Sequence, residues 1–239
     1  MEPFELGVVI LAQCFVFLTL AGLLLRRHAG SVWSFAFYLG AVFVTDALML
    51  VDRFDTLAFW LRKEVVLNAL KFGIAFELIA RAFGRFPGAK ATAHRIFWLI
   101  VVFTVVSTVW VASSWSVDTT GLTSREVAVK VVEAFHPRVV TAITWLFVAI
   151  AGLILWYRLP VPSMPKAILI GFVPYLLFLY LALELKTANH WPTEGWITRL
   201  DTWAYLLLLG YWARSAWQPF REIMPAGRQP VPVVQRTAG

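Results

Sequence analysis

The sequence predicts an all-α polytopic membrane protein, a bundle of seven transmembrane helices with the N-terminus outside and the C-terminus cytoplasmic. Three observations predict it. Of the 239 residues, 60% are hydrophobic and only 15% charged, with a mean hydropathy of +0.73. An average soluble domain has about 45–50% apolar and about 25% charged residues. The apolar residues gather into seven stretches of near-spanning length, and the basic residues are shared unevenly between the two sets of connecting turns.

A hydrocarbon core about 30 Å thick takes about 20 helical residues to cross. The first stretch, 6–25, is uncharged, and the second, 32–51, is interrupted only by Asp46. The third, 57–83, is the most polar. The fourth and fifth are 96–112 and 139–157. The sixth, 167–183, carries Pro174 three residues after Gly171, which predicts a kink. The seventh is 197–217. Core helices of a soluble bundle keep one polar face, and the first, fourth and fifth stretches have none. Residues 1–218 therefore read as one transmembrane domain. Residues 219–239, with Pro219, Pro225, Pro230 and Pro232, read as a flexible cytoplasmic tail.

The turns set the expected orientation. One side carries Arg26, Arg27, Arg81, Arg85, Lys90, Arg95, Arg158, Lys166, Arg214, Arg221, Arg228 and Arg236 against a single acid, Glu222. Cytoplasmic turns are enriched in Lys and Arg, so this side is expected inside. Tryptophans mark the same two levels, with Trp33, Trp98, Trp156 and Trp217 at one and Trp60, Trp110, Trp115, Trp191 and Trp196 at the other. The N-terminus has no basic n-region or small-residue cleavage site, so the first helix is expected to be retained. In the long outer loop, Thr123-Ser124-Arg125-Glu126 forms a capping box, in which hydroxyl and carboxylate satisfy the first helical amides. Val127, Val131, Ala134 and Phe135 follow at helical spacing. A short amphipathic helix on the outer surface is expected at about 123–135.

The net charge of +7 is dispersed among short turns without a basic run or an aromatic-plus-basic motif, so no nucleic-acid partner is implied. The lone Cys14 allows no intramolecular disulfide and no cysteine metal cluster. Zinc-hydrolase, nucleophile-elbow and phosphate-loop motifs are all absent from the sequence, so no catalytic residue is assigned. No Schiff-base lysine stands in the last span, and no internal repeat relates the two halves of the chain.

The third stretch carries the candidate site. Glu64, Asn68 and Lys71 recur at i, i+4 and i+7, on one stripe of the helix. A lysine near mid-membrane costs about 2.5–3.5 kcal/mol on insertion scales, so Lys71 is expected to face protein or water and to have a partner. Folding the second and third stretches about residue 54 brings Asp46 opposite positions near 62. Asp46, Glu64, Asn68 and Lys71 are therefore expected to line an outward-opening pocket for a ligand or proton; the plain structural alternative is an interhelical ion pair that fixes packing. Glu77 and Arg81, in the favourable i, i+4 order, read as a structural ion pair at the cytoplasmic interface. His28 and His94 on one side, with His136 and His190 on the other, are the residues a b-type haem would use. All four stand in loops or at helix ends, where solvated histidine is the ordinary expectation.

The runs Phe76-Glu77-Leu78-Ile79-Ala80-Arg81 to Arg85-Phe86-Pro87-Gly88, and Tyr211-Trp212 to Trp217-Gln218-Pro219, resemble a family of free-standing seven-helix integral membrane proteins of bacteria that brings no known activity with it. The resemblance implies a multi-pass protein of the bacterial cytoplasmic (inner) membrane, and assigns no cofactor or site residue. The functional expectation is a non-enzymatic accessory or structural subunit of a membrane complex, or a ligand-binding sensor. The alternative is a small transporter or proton pathway using Asp46, Glu64 and Lys71, and a third reading is a haem subunit. No motif indicates a cofactor, and pigment, quinone and haem stay open. The expected partners are the lipid bilayer and other membrane subunits or a second copy of the chain.

Overall fold

Long apolar runs, punctuated by Pro, Gly and charged turns, give helices. A computed structural model of the chain describes residues 3–26, 30, 32–49, 56–84, 87–114, 124–189 and 196–219. Among the described residues seven helices follow in order: α1 (Pro3–Leu25), α2 (Trp33–Met49), α3 (Leu57–Ala82), α4 (Pro87–Ser114), α5 (Ser124–Trp156), α6 (Ser163–Asn189) and α7 (Trp196–Ala216). Local chemistry sets several ends. The Thr56 hydroxyl accepts from the Phe59 amide and caps α3. Pro87 opens α4, where its missing N–H is not needed.

The short helix expected at about 123–135 is not drawn as a separate element. Residues 124–136 run straight into the fifth expected span as one 33-residue helix that passes through Pro137. Membrane helices tolerate an interior proline because hydroxyl side chains and neighbouring helices re-satisfy the freed backbone groups. Thr141 Oγ1 donates to the Pro137 carbonyl at 2.8 Å, the usual back-bond of a helical threonine to the residue four before it. Helix α6 likewise continues through Pro174. Residues 220–239, which hold nearly all of the expected tail, lie outside the described residues.

Stretches of three helices are long and apolar enough to cross a membrane: Gly7–Leu25 in α1, Pro137–Trp156 in α5 and Ser163–Ala182 in α6. In α2, Trp33–Leu48 is apolar but shorter. Outward-facing side chains are apolar too. Leu99 and Phe103 on α4, Leu207 on α7 and Trp156 on α5 are each more than two-thirds exposed. Such a surface suits lipid as its solvent better than water.

Each helix packs on the next in sequence, α7 closes the ring against α1, and α3 also packs on α5 across the middle. Neighbours alternate in direction. Asp46 meets Lys63 and Ser34 meets Glu77 across α2 and α3, while Tyr175 meets Tyr205 across α6 and α7. Helices α1 and α7 run parallel. Trp217 Nε1 donates to the Leu18 carbonyl at 3.1 Å, and a Cβ on Gly22 would stand 2.9 Å from Ala216 Cβ, so only glycine lets these two backbones approach.

The core is aromatic in its lower half, the half that holds the α1–α2 turn. Phe35, Phe147, Phe172 and Trp212, from four different helices, are fully buried. Ring centroids lie 4.9 Å apart for Phe35–Trp212, 4.7 Å for Phe172–Trp212 and 5.0 Å for Phe147–Phe172, the first two edge-to-face. A Cβ on Gly171 would fall 2.5 Å from Trp212 Nε1. The glycine is what admits the indole between α6 and α7.

Candidate functional site

The α2–α3 register places the candidate residues. Lys63 Nζ donates to Asp46 Oδ1 at 2.6 Å, with both side chains at most a quarter exposed. Asp46 thus meets position 63, beside the position near 62 that the hairpin argument indicates, and its partner is a lysine the stripe argument passed over. Lys71 Nζ donates to Asn68 Oδ1 at 3.1 Å, one turn back on the same helix. The charge of the Glu64 carboxylate also acts on the Lys71 ammonium. Three of the four expected residues therefore fall in two separate pairs, Asp46 with Lys63 and Asn68 with Lys71. Asp46–Lys63 lies nearer the α3 N-terminus and Asn68–Lys71 deeper.

Four further polar side chains complete the site. The register that sets Asp46 against Lys63 and Ser34 against Glu77 puts Tyr38 of α2 at the level of Lys71. The Tyr38 hydroxyl lies within electrostatic reach of Asp46 and Glu64. From the opposite wall, Tyr175 of α6 hydrogen-bonds the Asp201 carboxylate of α7 and feels Tyr38 and Glu64. The Tyr205 ring packs 5.9 Å from that of Tyr175, and its hydroxyl is reached by the charges of Asp46 and Asp201. Among the described residues, one Asp201 oxygen, Oδ1, is buried without a partner, as are both amide atoms of Gln13 on α1. Buried polar atoms are nearly always bonded, so these are acceptors and donors held ready for something polar.

The result is a polar column between α2, α3, α6 and α7. It starts at Asp46, Lys63 and Asp201 and descends through Glu64, Asn68, Tyr175 and Tyr205 to Lys71 and Tyr38. There it stops. Tyr38 stacks on Phe35 at 6.5 Å and meets the edge of Phe172 at 5.8 Å, and the aromatic layer below is apolar apart from Trp212 Nε1. Among the described residues the polar groups of the column end at this layer.

No known protein family, characterised protein or solved structure matches the chain.

Outside the column, Arg81 Nε donates to Glu77 Oε1 at 2.9 Å. The pair does more than anchor α3. Both Glu77 oxygens accept backbone amides at the start of α2, from Trp33 at 3.1 Å and Ser34 at 2.7 Å, and Arg81 Nη2 donates to the Gly30 carbonyl at 2.9 Å. A carboxylate at a helix N-terminus is favoured by the free amides and the dipole, so Glu77 is a cap supplied by another helix. Of the four histidines only His94 has a described side chain. Its Nδ1 lies 2.9 Å from the Lys90 carbonyl and its ring stands edge-on to Phe76. His28 and His190, and the side chain of His136, lie outside the described residues.

The column tyrosines and Asp201 escape a stripe-by-stripe reading of the sequence. Asp201 was detectable as an ionisable group inside an apolar stretch, the criterion that singled out Lys71. Tyr175 and Tyr205 carry no such signal, because tyrosine is equally at home in a membrane-interface belt.

Proposed function

We propose that this chain is a non-enzymatic seven-span protein of the bacterial inner membrane that binds a small polar ligand in an outward-opening recess, as a sensor or as the ligand-binding accessory subunit of a membrane complex. The N-terminus is outside and the C-terminus cytoplasmic, which puts the open end of the column on the outer side and the aromatic layer toward the cytoplasm. One observation carries the reading: a converging set of acids, amides and phenols ends at a sealed aromatic layer. A transporter or proton pathway needs a polar route through its barrier, and Phe35, Phe147, Phe172 and Trp212 fill the interior below Lys71 and Tyr38. The column offers hydrogen-bond acceptors, a lysine and phenols, with no nucleophile–base pair to do chemistry. The unpartnered Asp201 oxygen would take a donor group of the ligand.

Single-cysteine labelling tests this. In a Cys14→Ser background, Asn68→Cys is treated with a membrane-impermeant maleimide on intact spheroplasts and on inverted vesicles. Labelling from the outer face alone is expected. Labelling from both faces would replace the binding reading by transport, and labelling from neither would reduce the column to a packing device.

A further inference from the structure

The second polar feature lies at the other end of the bundle, where α5 turns into α6. The turn is a Schellman motif. Leu159 N donates to the Ile154 carbonyl at 3.0 Å and Arg158 N to the Leu155 carbonyl at 3.2 Å, so Arg158 occupies the left-handed position, with φ 49°. Glycine is the usual residue there because it has no Cβ to clash. Arg158 is the only described non-glycine residue with positive φ. A residue held in a disfavoured conformation invites the question of what its side chain is for.

That side chain borders a cavity of about 680 Å³. Arg158 and Lys166 line one end, and Ile154, Leu169, Ile170 and Val173 form the apolar trough. Ile170 is half exposed, so the trough opens sideways to whatever surrounds the bundle. From Lys166 to Val173 the helical rise gives a depth of about 10 Å. Arg158 stands two residues beyond the end of the candidate span Pro137–Trp156, and Lys166 lies in the first turn of the candidate span Ser163–Ala182, so both are at the ends of spans, where a membrane interface would lie. Lys166 occupies the first turn of α6, where the helix dipole is already positive and no acid is present. Neither cation has an ion-pair partner among the described residues. Two cations and a positive helix end gathered without an acid repel one another, and an anion between them removes that cost.

We propose that this cavity binds an anionic phospholipid, its phosphate between Arg158 and Lys166 and one acyl chain in the trough. The charged end selects the headgroup and the lateral opening admits the chain. The site is separate from the polar column and does not depend on what the column binds.

The full-length protein, delipidated in a neutral detergent, is titrated with dioleoyl phosphatidylglycerol, with dioleoyl phosphatidylcholine and with inorganic phosphate, and bound lipid is counted by native mass spectrometry. A cation near an anionic headgroup contributes about fivefold in affinity, so two predict about a 30-fold preference for phosphatidylglycerol. Arg158→Gly should cut it to about fivefold while leaving the melting temperature unchanged or raised, since glycine suits the left-handed turn. Arg158→Asn, also compatible with that conformation, should do the same. Adding Lys166→Gln should abolish the preference. Equal binding of the two lipids by the parent, or a preference that survives loss of both cations, would overturn the proposal. So would displacement of phosphatidylglycerol by millimolar inorganic phosphate, which would make the site one for a free anion.

Discussion

Replacing Gly171 by alanine tests the layer that closes the column. The new methyl would stand 2.5 Å from Trp212 Nε1 and 2.6 Å from Leu208 Cδ1. Leucine can swing its far end aside, but the indole is rigid and fully buried between Phe35 and Phe172. Overpacking of this kind costs about 1–3 kcal/mol. Alanine's better helix propensity offsets about 1 kcal/mol, leaving a net loss of up to about 2 kcal/mol. Gly152 is the control, because a Cβ there meets nothing within 4 Å and Gly152→Ala keeps only the gain. Trp212→Phe should be mild, since the volume it removes is set against the loss of a buried N–H that has no partner among the described residues. In combination it should restore at least about 1 kcal/mol to Gly171→Ala, because the smaller ring vacates the space the methyl needs. Denaturant or thermal unfolding in detergent measures all four variants. If Gly171→Ala unfolds as late as Gly152→Ala, or if Trp212→Phe does not rescue it, the close approach of α6 to α7 is not what the distances imply.

Two further outcomes concern the column. Asp46→Asn and Lys63→Met should each destabilise by about 1–3 kcal/mol, short of a fully buried pair because both groups keep some exposure, and the double variant should lose less than the sum; strict additivity in an unfolding titration would mean that the 2.6 Å pair carries no coupling. Lys71→Met should be at least as stable as the parent, because the hydrogen bond to Asn68 and the attraction of Glu64 offset less than the membrane-insertion cost of about 2.5–3.5 kcal/mol that methionine removes. A loss above about 2 kcal/mol in the same assay would show that Lys71 is held for packing.

Much of this was legible in the sequence because it follows from local rules. The polar stripe of Glu64, Asn68 and Lys71 is a matter of helical period, and the near-opposition of Asp46 to position 63 follows from counting residues around one short turn. The Glu77–Arg81 pair is an i, i+4 contact on one helix. Which lysine Asp46 would take was not legible. Positions 62, 63 and 64 lie within one helical turn, and the rotation of α3 that selects Lys63 is set by what packs behind it on α2, α4 and α5. The second role of Glu77 was hidden for the same reason, since a carboxylate that caps another helix from 43 residues away leaves no local pattern.

The sequence by itself determined the all-α class, the apolar surface and the polar interior of the third helix, because these depend on composition, period and the cost of charge in an apolar medium. Tertiary structure alone decided that Tyr38, Tyr175, Asp201 and Tyr205 join that stripe and that Phe35, Phe147, Phe172 and Trp212 seal it below. It also decided that Arg158 and Lys166 face one cavity. Residues on separate helices share a site only through helix rotation and register, and those are fixed by the close packing of Gly22 on Ala216 and of Gly171 on Trp212, contacts between helices that no pattern within a single helix encodes.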